Sequence, residues 1–182
     1  MNIAVVPVPP APPSLRPTLA DLLTRLGDIP PSRVLLQPPP GTATENDLIT
    51  AVDRDGYLCE LVDGVLVEKP VGYYECRLAI VLIANLEAFA EANDLGIVLG
   101  EGGLMRPAPG LVRIPDVAFY AWAQFHNRLL PRGQILARTP DLAVEILSPN
   151  NTEREMDRKR REYFTGGARL VWQVYPDTRR VR

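Results

Sequence analysis

The stretch Pro140-Asp141-Leu142-Ala143-Val144-Glu145-Ile146-Leu147 poses the folding problem of this chain. From Leu142 to Leu147 it is an almost continuous apolar run, the pattern of a central strand covered on both faces. Glu145 interrupts that run. A buried carboxylate without a partner is unfavourable enough to unfold a small domain, so a cation or a basic side chain must stand beside it. The period of two in a strand turns Glu145 to the face opposite Val144 and Ile146.

Working downstream, a helix is expected from about Glu153 to Phe164, closed by Gly166-Gly167. A strand follows from Leu170 to Tyr175, ended by the Pro176-Asp177 turn. Met156, Lys159 and Tyr163 fall at i, i+3 and i+7 of the helix, which puts Lys159 on the inward apolar stripe. An inward lysine needs an anionic neighbour. Either it serves a reaction beside Glu145, or it forms a plain salt bridge with that residue or snorkels to solvent. The remaining charges of Glu153 to Glu162 form a solvated face, whose Arg154, Arg158 and Arg161 are the best candidates for a phosphate-facing patch. Arg179 to Arg182 begin a further strand, expected to leave an edge for more chain or for a partner.

Upstream, Val112 to Tyr120 reads as another strand, and Asp116 repeats the problem of Glu145 within Ile114-Pro115-Asp116-Val117-Ala118-Phe119. Pro115 removes a backbone donor and suits a strand start or bulge near a site. Two buried carboxylates on two strands suggest one shared cation. Oxygen-only ligation, with the single histidine His126 placed in an irregular surface loop, points to magnesium or manganese rather than zinc. Ser148 precedes Pro149 and, lacking a histidine base, reads as a turn residue rather than a nucleophile.

The rest of the chain supplies a scaffold. Tyr57 to Leu61 and Val65 to Glu68 flank Asp63-Gly64, a dipeptide suited to a tight hairpin. Leu78, Leu82, Leu86 and Phe89 recur at helical spacing from Glu75 to Asn93, and short strands are expected at Ile97 to Leu99 and Leu104 to Arg106. Prolines crowd the first forty residues, so residues 1–43 are expected to be an extension rather than core. Within it, Thr18 to Leu26 has the spacing of a short amphipathic helix, suited to docking either on the domain or on a partner. Thr44 with Asp47 resembles a capping box that opens a second helix reaching about Asp53.

At 182 residues with 46% hydrophobic content, one domain is expected, spanning residues 44–182. A net charge of -2 and a pI near 5.5 provide no global field for nucleic acid, so any such contact must be local. Cys59 and Cys76 have no metal-ligand spacing and read as free thiols in a reducing cytoplasm. The apolar run Ile3 to Val8 lacks a basic flank and is broken by Pro7, so it reads as neither secretion signal nor membrane anchor.

Five stretches together carry a family resemblance. Cys59-Glu60-Leu61-Val62-Asp63-Gly64-Val65-Leu66-Val67-Glu68, Arg113-Ile114-Pro115-Asp116-Val117 and Pro140 to Ser148 closely resemble the Uma2 family of restriction endonucleases, as do Lys159 to Tyr163 and Leu170-Val171-Trp172. The resemblance runs in order from about Leu48 to Tyr175. It implies an α/β fold of the PD-(D/E)XK nuclease superfamily, with a restriction-endonuclease-like mixed central sheet flanked by helices. It also implies a metal-dependent site for cutting phosphodiester bonds. Pro115-Asp116 then corresponds to the PD element and Glu145 to the acid of the E-x-K element. Position 147 is Leu where the superfamily has Lys, and the resemblance suggests Lys159 as its replacement.

On this reading Asp116, Glu145 and the backbone carbonyl of Ile146 hold Mg2+ or Mn2+, and Lys159 orients water or stabilises phosphorane charge. Glu60, between Leu58 and Leu61, and Glu101, just after Leu99-Gly100, are candidates for a further carboxylate. Each can equally be an edge-strand acid facing water or an arginine. The expected partners are nucleic acid, taken as DNA, and a second copy of the chain, since a homodimer lets each subunit cut one strand. A catalytically silent dimeric binding module and a hydrolase of small nucleotides remain the alternatives on the same scaffold.

Overall fold

The computed structural model describes residues 17–70 and 72–182; the proline-rich start up to Arg16, with the run Ile3 to Val8, lies outside them. Helix α1 (Leu19–Leu26) opens on a full capping box between Thr18 and Asp21, and α2 (Glu45–Asp53) opens on the same device between Thr44 and Asp47. Strands β1 (Cys59–Val62) and β2 (Val65–Glu68) form the hairpin, with Asp63 at φ 52° and Gly64 at φ 71° as its turn requires. A side chain at 64 would also strike the backbone of Gly41. Helix α3 (Tyr73–Ala92) comes next, followed by β3 (Gly96–Gly100), β4 (Met105–Ala108) and β5 (Leu111–Arg113). Then come β6 (Val117–Ala121), β7 (Leu142–Ile146), α4 (Glu153–Gly166), β8 (Leu170–Tyr175) and β9 (Arg180–Val181).

The strands form two sheets, β2-β1-β5-β4 and β3-β6-β7-β8-β9. The second is mixed: β7 and β8 are parallel, and its other pairs antiparallel. Val144 and Ile146 pack with Ala79 of α3, whereas Ala143 packs with Tyr163 of α4, so β7 is covered on both faces by helices. Glu145 shares the α4 face with Ala143.

Two expectations need correction. Val112 to Tyr120 is not one strand: β5 belongs to the first sheet and β6 to the second, and the chain crosses between them at Ile114-Pro115-Asp116. Pro115 cannot donate to a ladder, which makes this the natural point of exchange.

Nor is the segment before residue 44 all extension. Leu22, Leu26, Ile29 and Val34 are buried in one cluster with Val62, Val65 and Val67, and Val34 bridges Val67 along the β2 edge. Gly27, at φ 94°, lies so close to the start of α4 that a Cβ there would meet Glu155 backbone atoms at 2.7 Å. Proline content describes how a segment resists regular pairing, not what its leucines dock against.

Candidate active site

The crossing at Ile114-Pro115-Asp116 brings Asp116 beside the last residues of β7. Its backbone N–H donates to Val144 O at 3.0 Å, and its Oδ2 accepts the N–H of Ile146. Asp116 therefore sits next to Glu145 through contacts that the backbone itself supplies. Both line one narrow cleft, together with Lys69, Glu75, Glu101, Ile146 and Lys159. The free interior of the cleft is about 20 Å³, room for one ion or water, so a nucleobase does not fit inside.

The sequence-predicted residues fall into two groups. Asp116 faces Lys69, whose Nζ stands 2.7 Å from Oδ1, donates to Ile114 O at 2.6 Å and lies 3.6 Å from Glu101 Oε1. Glu145 faces Lys159, whose Nζ approaches its two oxygens at 3.2 and 3.3 Å, and it also accepts the Tyr163 hydroxyl. Glu60 does not line the cleft. It is fully buried behind Lys159, pairing with Lys159 at 3.0 Å and Arg113 at 2.7 Å, and accepting the Ile114 N–H. The alternative in which Glu60 meets an arginine describes its contact with Arg113.

Electrostatics follow from this layering. Burial acts against the charge of Glu60, but Lys159 and Arg113 outweigh it and hold its carboxyl far below the usual range. Burial pushes Glu145 up, and Lys159 and Lys69 only partly offset that. Burial works against the Lys159 ammonium, yet Glu145 and Glu60 hold it protonated. Burial also raises Tyr163, with the neighbouring Glu145 charge adding to the effect, so its hydroxyl remains a donor.

Lys69 is the residue that sequence reasoning missed. It follows β2 directly before Pro70, outside any helical stripe, and no local pattern marks it as inward. The requirement for a basic partner near Asp116 was legible; where that partner sits in the chain was not. Glu75, in the first turn of α3, was missed for the same reason.

The arginines of α4 differ in what they already hold. Arg158 is spent on Glu162, Asp63 and the carbonyl of Arg25, and Arg154 pairs with Asp28; Arg161 is exposed. His126 is exposed on a short 3-10 turn.

The fit of a metal ion rests on the donor set. Among the described residues, no three Asp, Glu, His or Cys side chains gather closely enough to form a metal cage by themselves. Magnesium does not need one, since it is commonly held by one or two carboxylates and keeps several waters. The cleft lining carries Glu75, Glu101, Asp116 and Glu145 against Lys69 and Lys159, a formal surplus of two negative charges. An all-oxygen set with that surplus suits one hard divalent cation.

Comparison with known proteins decides the family. The sequence model of the Uma2 family, described as "Putative restriction endonuclease", matches residues 45–182. The chain belongs to the Uma2 family. Among solved structures, the fold resembles that of a "putative nuclease belonging to DUF820 from Anabaena variabilis ATCC 29413", with TM-score 0.57 and 17% identity. The match covers 65% of this chain and 66% of that one, just under two thirds of its length. No curated protein matches the chain. The Uma2 match begins after α1 and Arg33, so the docked N-terminal arm lies outside the matched residues. No helix among the described residues is long and apolar enough to cross a membrane.

Proposed function

We propose that this Uma2 protein is a magnesium- or manganese-dependent endonuclease that hydrolyses phosphodiester bonds of DNA. The observation that carries the reading is the convergence of Asp116 and Glu145 on one cleft with a surplus of negative charge. Asp116 and Glu145 would hold the ion, with the Ile146 carbonyl and Glu101 as further oxygen donors. Bound there, the ion's contribution is Lewis acidity towards a phosphate and a lowered pKa for water.

The chain's own residues do the rest. Glu60 and Arg113, buried behind the site, fix Lys159 against Glu145 and leave its ammonium charged. That fixed charge stabilises the phosphorane without reorganisation at the moment of reaction. The narrow interior admits no base, so the reacting phosphate meets the site at its mouth. Tyr73 and Tyr74 stand exposed in the first turn of α3, next to the cleft residues Glu75 and Cys76, and offer faces on which bases can stack. A homodimer, one subunit for each strand, belongs to the same reading.

Plasmid cleavage in Mg2+ or Mn2+ tests it. Asp116→Ala and Glu145→Ala should each lower the rate by at least about 100-fold while far-UV circular dichroism stays native. Cleavage at the wild-type rate by either variant removes that residue from the site. Metal binding without cleavage by the wild type selects the silent binding module, and nucleotide turnover without DNA cutting selects the small-nucleotide hydrolase.

A further inference from the structure

Lys69 sits where a cation would. Its ammonium is surrounded by the Ile114 carbonyl at 2.6 Å, Asp116 Oδ1 at 2.7 Å and Glu101 Oε1 at 3.6 Å, and its side chain is 4% exposed. That is one backbone carbonyl and two carboxylates around a single positive charge, the oxygen set from which hard-ion sites are built. Asp116 Oδ2 accepts the Ile146 N–H, so Oδ1, the oxygen that carries no backbone hydrogen bond, is the one that Lys69 and an ion would share.

We infer that Lys69 is a built-in competitor for the divalent ion: its ammonium pairs with Asp116 Oδ1, the oxygen an ion would ligate, and the two cations compete for it. The inference rests on the proposed metal site. An ion ligated by Oδ1 would lie roughly 2.1 Å from that oxygen, and the ammonium now stands 2.7 Å from the same atom. Two cations so close around one carboxylate oxygen repel each other strongly, since so narrow a cleft leaves little water to screen them. Lys69 can yield. Its backbone is anchored by a hydrogen bond to Leu58 O, but the four-carbon stem is flexible and the side chain borders the cleft. Lys159 is differently placed, locked between Glu60 and Glu145 and braced by a helix. The two lysines therefore divide the work: Lys159 is a fixed charge, and Lys69 sets how much metal the site requires.

Calorimetric titration of the metal-free full chain with Mn2+ tests this directly, without any activity readout. Lys69→Met and Lys69→Gln should bind Mn2+ at least about tenfold more tightly than wild type, and Asp116→Asn should abolish binding. Equal or weaker binding by the lysine variants, alongside wild-type binding that Asp116→Asn abolishes, overturns the role of Lys69 and leaves the metal site standing. Failure of every protein to bind Mn2+ in an Asp116-dependent way overturns both. A lysine variant that is unfolded without metal should regain its far-UV circular dichroism when Mn2+ is added, because the ion replaces the missing charge. No recovery counts against the inference.

Discussion

Arg33 with Glu155 and Lys69 with Asp116 are both buried ion pairs, and both close at 2.7 Å. Their surroundings separate them. The Arg33 guanidinium makes two parallel bonds to Glu155 and gives two further donors to Glu68 O and Asn150 O, while Glu155 also accepts from Asn151. Every polar atom there has a partner, and the charges cancel one to one. The Lys69 pair opens on a cleft in which carboxylates outnumber lysines. A pair that balances fixes one geometry, whereas a pair in an unbalanced cluster can be rearranged by an incoming ion. The first joins the N-terminal arm to α4 and the second sits where chemistry is proposed, so balance of charge is what separates the two pairs in this molecule.

The largest effect expected from this contrast is on stability. Arg33→Met leaves the Glu155 carboxylate buried and uncompensated, and urea denaturation should show a loss of about 3–5 kcal/mol. Lys69→Met leaves Asp116 at the edge of a cleft that water reaches, and should lose only about 1–2 kcal/mol in the same experiment. Equal losses would mean that the two pairs do the same job, and the contrast would fail.

Neither pair was legible in the sequence, although much around them was. The strand Leu142–Ile146, the paired caps at Thr18 and Thr44, the Asp63-Gly64 turn and the inward Met156, Lys159 and Tyr163 all follow from local pattern. That is why the sequence alone brings Glu145 and Lys159 together. Neither Arg33 nor Lys69 lies on a periodic stripe, and their partners stand 122 and 47 positions away. The crossing at Pro115 was hidden for a related reason. An apolar run reports burial, but not which of two sheets provides it.

An intermediate effect concerns acidity. Burial works against the charge of Glu155, but its hydrogen bonds from Arg33 prevail and hold the carboxyl below its ordinary value near 4.5. The unfolded chain therefore takes up a proton first as pH falls. The stability contributed by the pair is whole above about pH 4.5 and is lost as pH drops through the depressed folded value, at no more than about 1.4 kcal/mol per pH unit. The gap in unfolding free energy between wild type and Arg33→Met should thus narrow from pH 6 towards pH 3. A gap that stays constant over that range would show that the guanidinium acts through packing alone.

The smallest effect leaves stability untouched and reads the same division between sealed core and open cleft through the two thiols. Cys59 lies on β1, fully buried, and burial pushes its thiol up to about 12, with Glu60 adding to the shift. Cys76 is exposed in the first turn of α3 and borders the cleft. Since the thiolate is the reactive form, native protein at pH 8 should take up one equivalent of a maleimide, at Cys76, and a second only in denaturant. Peptide mapping decides the site. Rapid labelling of Cys59 in the native state would place its strand among the parts that open readily, and the core that presents Glu60 to Lys159 would then be less rigid than the fixed charge of Lys159 requires.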